Sequence, residues 1–133
     1  DLLFVRVNGN PHYVGRSTVF TEYSEDVYHN DHLIRIKLDG TYNAKFLSYL
    51  LNYTGSRNII KVQIKTSAGQ HTISQSGIEK LLFYKPPIGL QREFIEIIER
   101  AKQVRFDLNT VEKLFHSLSQ QAFKGELTKD EAA

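Results

Sequence analysis

The sequence predicts an α+β fold: a small mixed α/β part over residues 1–85, one long coiled-coil-type helix over 86–124, and a polar tail over 125–133. Three observations carry this. Before Pro86-Pro87, short β-rich runs alternate with turn residues. Beyond it, from Leu90 to Ala122, apolar residues recur every three or four positions with no Gly or Pro among them. A chain of 133 residues, 41% hydrophobic and 24% charged, suffices for one compact domain with an added helix and is far from a disordered composition.

Each element follows in order. Leu2 to Val7 and Tyr13 to Phe20 flank the turn cluster Asn8-Gly9-Asn10-Pro11 and predict a hairpin with a loop longer than two residues. His32 to Leu38 alternates apolar and basic residues, a strand with one buried face and with Arg35 and Lys37 on the other. Asn43 can cap a helix through Phe46, Leu47, Leu50, Leu51 and Tyr53, ended by Gly55. Ser56 can cap a short helix over Arg57 to Val62, where β-branched residues leave a strand as the alternative. Thr66 to Thr72 reads as a polar loop, and Ser76 with Glu79 as a capping box for one helical turn. Leu81 to Tyr84 reads as a last strand.

The long helix carries the strongest signal. Leu90, Phe94, Ile97, Ala101, Val104, Leu108, Val111, Phe115, Leu118 and Ala122 form an unbroken a/d heptad, with Gly125 as a C-cap. At 1.5 Å per residue such a helix is ~50 Å long, more than a small domain needs for its own core. The seam Leu90, Phe94, Ile97, Val104, Leu108, Val111, Phe115 and Leu118 therefore predicts a partner helix.

Composition narrows the function. With no cysteine there is no disulfide framework, thiolate zinc site or cysteine nucleophile. No run reaches the apolar length of a membrane helix, and no signal peptide opens the chain. The first residue is Asp1 and there is no methionine, which predicts a fragment or a processed chain. Net charge is only +2, but its distribution is uneven. Between Asp39 and Glu79 no acid occurs, while Lys45, Arg57, Lys61 and Lys65 do, with His71 beside them. Such a stretch gives one face a positive potential.

Enzyme signatures are scarce: no phosphate-binding Gly-rich loop, no Gly-x-Ser-x-Gly elbow and no His-Glu-x-x-His helix occur. His29-Asn30-Asp31-His32 is the one cluster with metal-ligand chemistry, and it lies at a loop-to-strand junction where side chains three apart do not converge. It is read as polar turn residues, with no metal and no catalytic residue assigned. Two other segments suit nucleic acid. Arg6, Asn8, Asn10 and His12 sit at a hairpin tip, with Arg16 on the returning strand, and Arg and Asn can read guanine and adenine edges bidentately. Lys65, Thr66, Ser67, Gln70, His71, Thr72 and Ser74 offer the ammonium, hydroxyl and amide groups that position phosphates.

Leu3-Phe4-Val5-Arg6-Val7-Asn8-Gly9, Val14-Gly15-Arg16 and His32-Leu33-Ile34-Arg35 together resemble the later part of a target recognition domain. The family is the DNA-specificity subunits of type I restriction–modification systems. The resemblance continues through Phe46 to Asn52 and Gly69 to Ser76. It is strongest at Pro86-Pro87-Ile88-Gly89-Leu90-Gln91-Arg92-Glu93-Phe94-Ile95, similar to the family's junction into its long helix, and closes with Ala122 to Leu127. It implies a non-catalytic, cytoplasmic, prokaryotic reader of one half of a bipartite double-stranded DNA site, its recognition domain lacking the opening strands. The helix would act as a spacer against a second long helix. A methyltransferase subunit, which would carry S-adenosylmethionine, and a motor-nuclease subunit are the implied partners; no cofactor is expected on this chain. Two other classes stay open: a coiled-coil adaptor that binds no DNA, and a small metal-dependent nuclease using His29, His32 and nearby acids.

Overall fold

The computed structural model describes residues 1–21 and 23–123; Gly125 and the tail at 125–133, assigned above as a helix cap and a polar end, lie outside them. The chain divides into two compact units, Asp1–Ile95 and a second beginning at Glu96.

Two small antiparallel sheets organise the first unit. Strands β1 (Leu2–Val5), β3 (Ser17–Val19) and β4 (Leu33–Ile36) form one, in the order β3-β1-β4, and β2 (Val7–Asn8), β5 (Lys65–Ser67) and β6 (Gln70–Thr72) the other, in the order β2-β6-β5. Side chains alternate across a strand, so Leu2 and Phe4 share one face of β1, and both are fully buried. They pair with Ile36 and Ile34 across β4. On the exposed side Arg35 is ion-paired with Asp1. Val14, Leu47, Leu51, Ile60 and Ile73 complete the core.

Helix α1 (Ala44–Asn52) begins where expected: the Asn43 side chain accepts from the backbone N–H of Lys45 and Phe46 at 2.9 and 3.2 Å. Its last residue covers the edge strand. Asn52 donates to the Ser17 carbonyl at 2.7 Å and accepts from the Ser17 N–H at 3.3 Å, which satisfies backbone groups β3 would otherwise leave open.

Several boundaries differ from the sequence reading, each for a physical reason. The run 13–20 yields only Ser17–Val19 as strand, because Gly15 turns the chain at φ +84°. Helix α1 ends at Tyr53, whose ψ of 142° is extended; Gly55 is not its cap. Gly55 lies in the first turn of α2 (Thr54–Val62), where an added Cβ would sit 2.9 Å from the Tyr53 ring. Ser56 is buried within α2 rather than capping it. The helix reading of 57–62 holds and the strand alternative does not. The segment 66–72 is a hairpin, not a loop, turning on Ala68 and Gly69 at φ 47° and 77°. Two positive φ values in a two-residue loop match the right-handed twist of the strands, and Ala68 hides that signal because Ala rarely adopts it.

Ser74, not Ser76, caps the short helix α3 (Gln75–Glu79), accepting from the Gly77 N–H at 3.1 Å. The helix starts as soon as β6 ends. Residues 81–84 form no strand. Their alternation is nevertheless real: Leu81 and Phe83 pack on the core while Leu82 and Tyr84 face water. Burying one side of an extended segment does not require a hydrogen-bonded ladder.

Helix α4 spans Ile88–Phe123, 36 residues. Its opening turns belong to the first unit, where Gln91 is fully buried. Gln91 Oε1 accepts from the Asn43 N–H at 2.7 Å, and Nε2 donates to the carbonyls of Pro86 and Thr41 at 2.8 and 3.1 Å. Phe94, assigned above to the partner-helix seam, instead meets Phe46 and Tyr49 edge-on, at centroid distances of 5.6 and 6.1 Å. Gln91→Leu keeps the volume and removes all three hydrogen bonds, at about 1–3 kcal/mol for each partner group that water cannot reach. Because Thr41 is exposed, water replaces part of that loss. The expected net cost is about 2–3 kcal/mol, a fall of roughly 10 °C or more in Tm by calorimetry. A melting point within two or three degrees of wild type refutes this stabilising role of Gln91.

In the second unit the heptad residues Ile97, Val104, Leu108, Val111, Phe115 and Leu118 are between 44% and 71% exposed. The polar positions hold the helix locally, with Arg100–Glu96 and Lys102–Glu99 at 3.6 Å and Gln103 donating to Asp107 at 3.1 Å.

Candidate nucleic-acid interface

The two polar segments singled out in the sequence, one beginning at Arg6 and the other at Lys65, contribute neighbouring strands. β2 pairs with β6 in the register Val7↔Thr72 and Asn8↔His71, and β6 pairs with β5 through Thr72↔Lys65, His71↔Thr66 and Gln70↔Ser67. Residues directly opposite share a face, so Asn8, His71 and Thr66 form one row. A 2.8 Å hydrogen bond joins Thr66 Oγ1 to His71 Nδ1. Lys65 and Thr72, with Ser67 and Gln70 two residues on, occupy the other face. The structure therefore splits the assigned set between two sides of a narrow ribbon. Lys65 to Gln70 are all exposed. Ser74 is withdrawn from the ribbon by its capping role.

Arg6 lies between β1 and β2, where the chain passes from one sheet to the other. Its N–H donates to the His32 carbonyl at 2.7 Å and its carbonyl accepts from Ile73 N–H at 3.0 Å. The side chain is half-buried, with an Nε that has no partner. The following loop is built by its own asparagines. Asn8 Oδ1 accepts from Asn10 N–H at 2.8 Å and Asn10 Oδ1 from His12 N–H at 2.9 Å. Both are side-chain-to-backbone turns, so each amide oxygen is already engaged by the loop. Loop-building is thus a role shown for Asn8 and Asn10, and each amide oxygen keeps a second lone pair for a base edge. His12 and Arg16 are exposed on the same loop.

Sequence reasoning missed Arg57, named above only as a charge. Its Nη2 donates to the carbonyls of Val14 and His12 at 2.6 and 3.1 Å, fixing the far side of the loop. Burial lowers its pKa, and the neighbouring positive charge of Arg16 adds in the same direction. Only its place in the acid-free stretch could have suggested it.

The histidine pair behaves as turn chemistry. His29 Nδ1 contacts the Asn30 carbonyl at 2.9 Å, Asn30 Oδ1 accepts from His32 N–H at 3.2 Å, and the His32 carbonyl serves Arg6 and Val7. Among the described residues no group of three or more His, Cys, Asp or Glu side chains could hold a metal ion. Nor is any helix among them long and apolar enough to cross a membrane.

Comparison with known proteins agrees with the resemblance read from the residues. The chain is 35% identical over 96% of its length to the type I restriction enzyme StySPI specificity subunit of Salmonella potsdam. It is 30% identical over 96% to the type I restriction enzyme EcoKI specificity subunit of Escherichia coli K12. A putative type I restriction enzyme MjaX specificity subunit of Methanocaldococcus jannaschii matches 97% of the chain at 25% identity. The chain spans about 30% of the length of the first two relatives and 29% of the third. No family model matches it, and no solved structure does.

Proposed function

We propose, from this kinship with a segment of type I restriction enzyme specificity subunits, that the chain is a DNA-reading module of such an enzyme. It would read one half of a bipartite site and catalyse nothing itself. The observation that carries the reading is the joining of β2, β5 and β6 into one sheet ending in an exposed two-stranded ribbon. The major groove of B-DNA admits a ribbon of that width, and polar side chains on both of its faces then meet base edges or groove walls. In this reading Arg6 and the ribbon specify sequence, while Lys65 neutralises phosphate. Helix α4, in the 86–124 segment, pairs with a second long helix and docks a methyltransferase subunit carrying S-adenosylmethionine, beside a motor-nuclease subunit. The residues 1–85 serve as the recognition part.

The test separates the two roles in a complete specificity subunit containing this chain. Arg6→Ala is expected to relax the methylated sequence at one position, costing ~1–3 kcal/mol there. Lys65→Ala is expected to weaken all sequences alike and to lower the salt slope of binding by about one. Methylation-site profiling and salt-titrated binding read the two effects. A changed site preference in Lys65→Ala with none in Arg6→Ala reverses the assignment; no effect of either removes this face from the DNA.

A further inference from the structure

Beside the loop that Arg57 anchors lies an open cleft of about 410 Å³, between residues 11–16 and one side of α2. It is lined by Arg16, Arg57 and Lys61, with His12, Thr54 and Asn58 among the others, and no acid lines it. Thr54, Arg57, Asn58 and Lys61 recur at three- and four-residue spacing, which places them on one face of α2. None of the three cations has an ion pair among the described residues, whereas Arg35 on the neighbouring sheet is paired with Asp1. Arg57 and Arg16 thus hold like charges close together with nothing negative between them, and Arg57 Nη1 is buried without an acceptor. The start of α2 adds positive potential of its own, since Tyr53 gives it no side-chain cap. The clustered positive charge works against stability even though Arg57 holds the loop. An anion in the cleft would relieve it.

We propose that this cleft holds a phosphodiester of the DNA backbone, with Arg16 and Lys61 as the donors and Arg57 as fixed charge behind them. The inference rests on the DNA reading above. One loop ties the cleft to the ribbon: Asn8 at its start pairs with β6, and His12 and Arg16 at its end line the cleft. A phosphate held here would therefore fix the register at which the ribbon meets the bases, the usual division between positioning and specifying contacts.

The test uses Lys61→Gln and Arg16→Gln, both exposed positions, with Lys65→Ala as an independent DNA-binding control. Each Gln variant is expected to lower the slope of log affinity for duplex DNA against log salt by about one, with the preferred sequence retained. In a second arm, inorganic phosphate is expected to raise the Tm of the wild-type chain and to raise it less in either variant. Stabilisation by phosphate with unchanged DNA slopes makes the cleft a site for a free anion and overturns the proposal. A lower slope in Lys65→Ala with none in the Gln variants overturns it as well, and leaves the DNA reading standing. Wild-type binding that shows no salt dependence removes the DNA reading and this inference together.

Discussion

Leu108→Asp combined with Val111→Asp is expected to abolish association through α4. The two residues sit three apart on consecutive seam positions, and each is about 60% exposed on the helix as it stands, at 60% and 62%. Burying a side chain of that size against a partner is worth roughly 1.5–3 kcal/mol, and in a pairing of two helices both sides contribute. Replacing both with carboxylates removes the apolar gain and adds the cost of desolvating two charges that have no partner. The effect should therefore exceed the stability of most short helix pairings. Analytical ultracentrifugation reads it directly: association through the seam, with a second copy or with the counterpart helix of the intact subunit, is expected to be lost in the double variant. The helix itself should survive, because Asp at two exposed positions costs only a few tenths of a kcal/mol each in propensity. Far-UV circular dichroism checks that. An unchanged associated mass with intact helicity places the interface elsewhere.

The long helix was legible because ten a/d positions repeat one rule. Phe94 shows the limit of that logic. Periodicity identifies a residue as apolar-facing but not which surface it faces, and Phe46 and Tyr49 claim it within the first unit. The small domain was legible in β1, β3 and β4 and in the Asn43 cap, where local chemistry decides, but not in β5 and β6, which read as a loop. It was less legible where one residue type admits two roles. Gly55 reads as a helix terminator, yet its absent Cβ makes room for the Tyr53 ring. Ser74 and Ser76 both fit a cap, and only the end of β6 chooses between them. Gln91 stands in the proline-proline junction that carries the family resemblance, but nothing in its own identity announces three buried hydrogen bonds. Within the candidate site, composition alone found both polar segments. Their pairing into one sheet is a long-range register, which no local pattern encodes.

Gly15→Ala is expected to destabilise the first unit by about 2–5 kcal/mol and to disturb the loop that holds His12 and Arg16 at the same time. Two independent terms make up that figure. The backbone φ of +84° costs an L-residue roughly 1–2 kcal/mol. The added Cβ would lie 2.5 Å from Ile60 Cγ2 and 2.7 Å from Arg57 Nη1, and overpacking of that kind costs typically about 1–3 kcal/mol more. Ile60 is fully buried and cannot swing away, so the displacement falls on Arg57 or on the loop. Either movement strains the Arg57 hydrogen bonds to the His12 and Val14 carbonyls, and with them the positions of His12 and Arg16. The two terms separate in a cycle with Ile60→Ala, which removes Cγ2 and opens space above position 15. Ile60→Ala alone should cost about 2–5 kcal/mol for the lost side chain and the cavity. In the double variant the Ile60 clash is relieved while the φ strain and the close approach to Arg57 stay, so the combined loss should fall short of the sum by about 1 kcal/mol or more. Denaturant titrations of the four proteins measure this. Strict additivity would mean that the close approach of Gly15 to Ile60 contributes nothing to the cost.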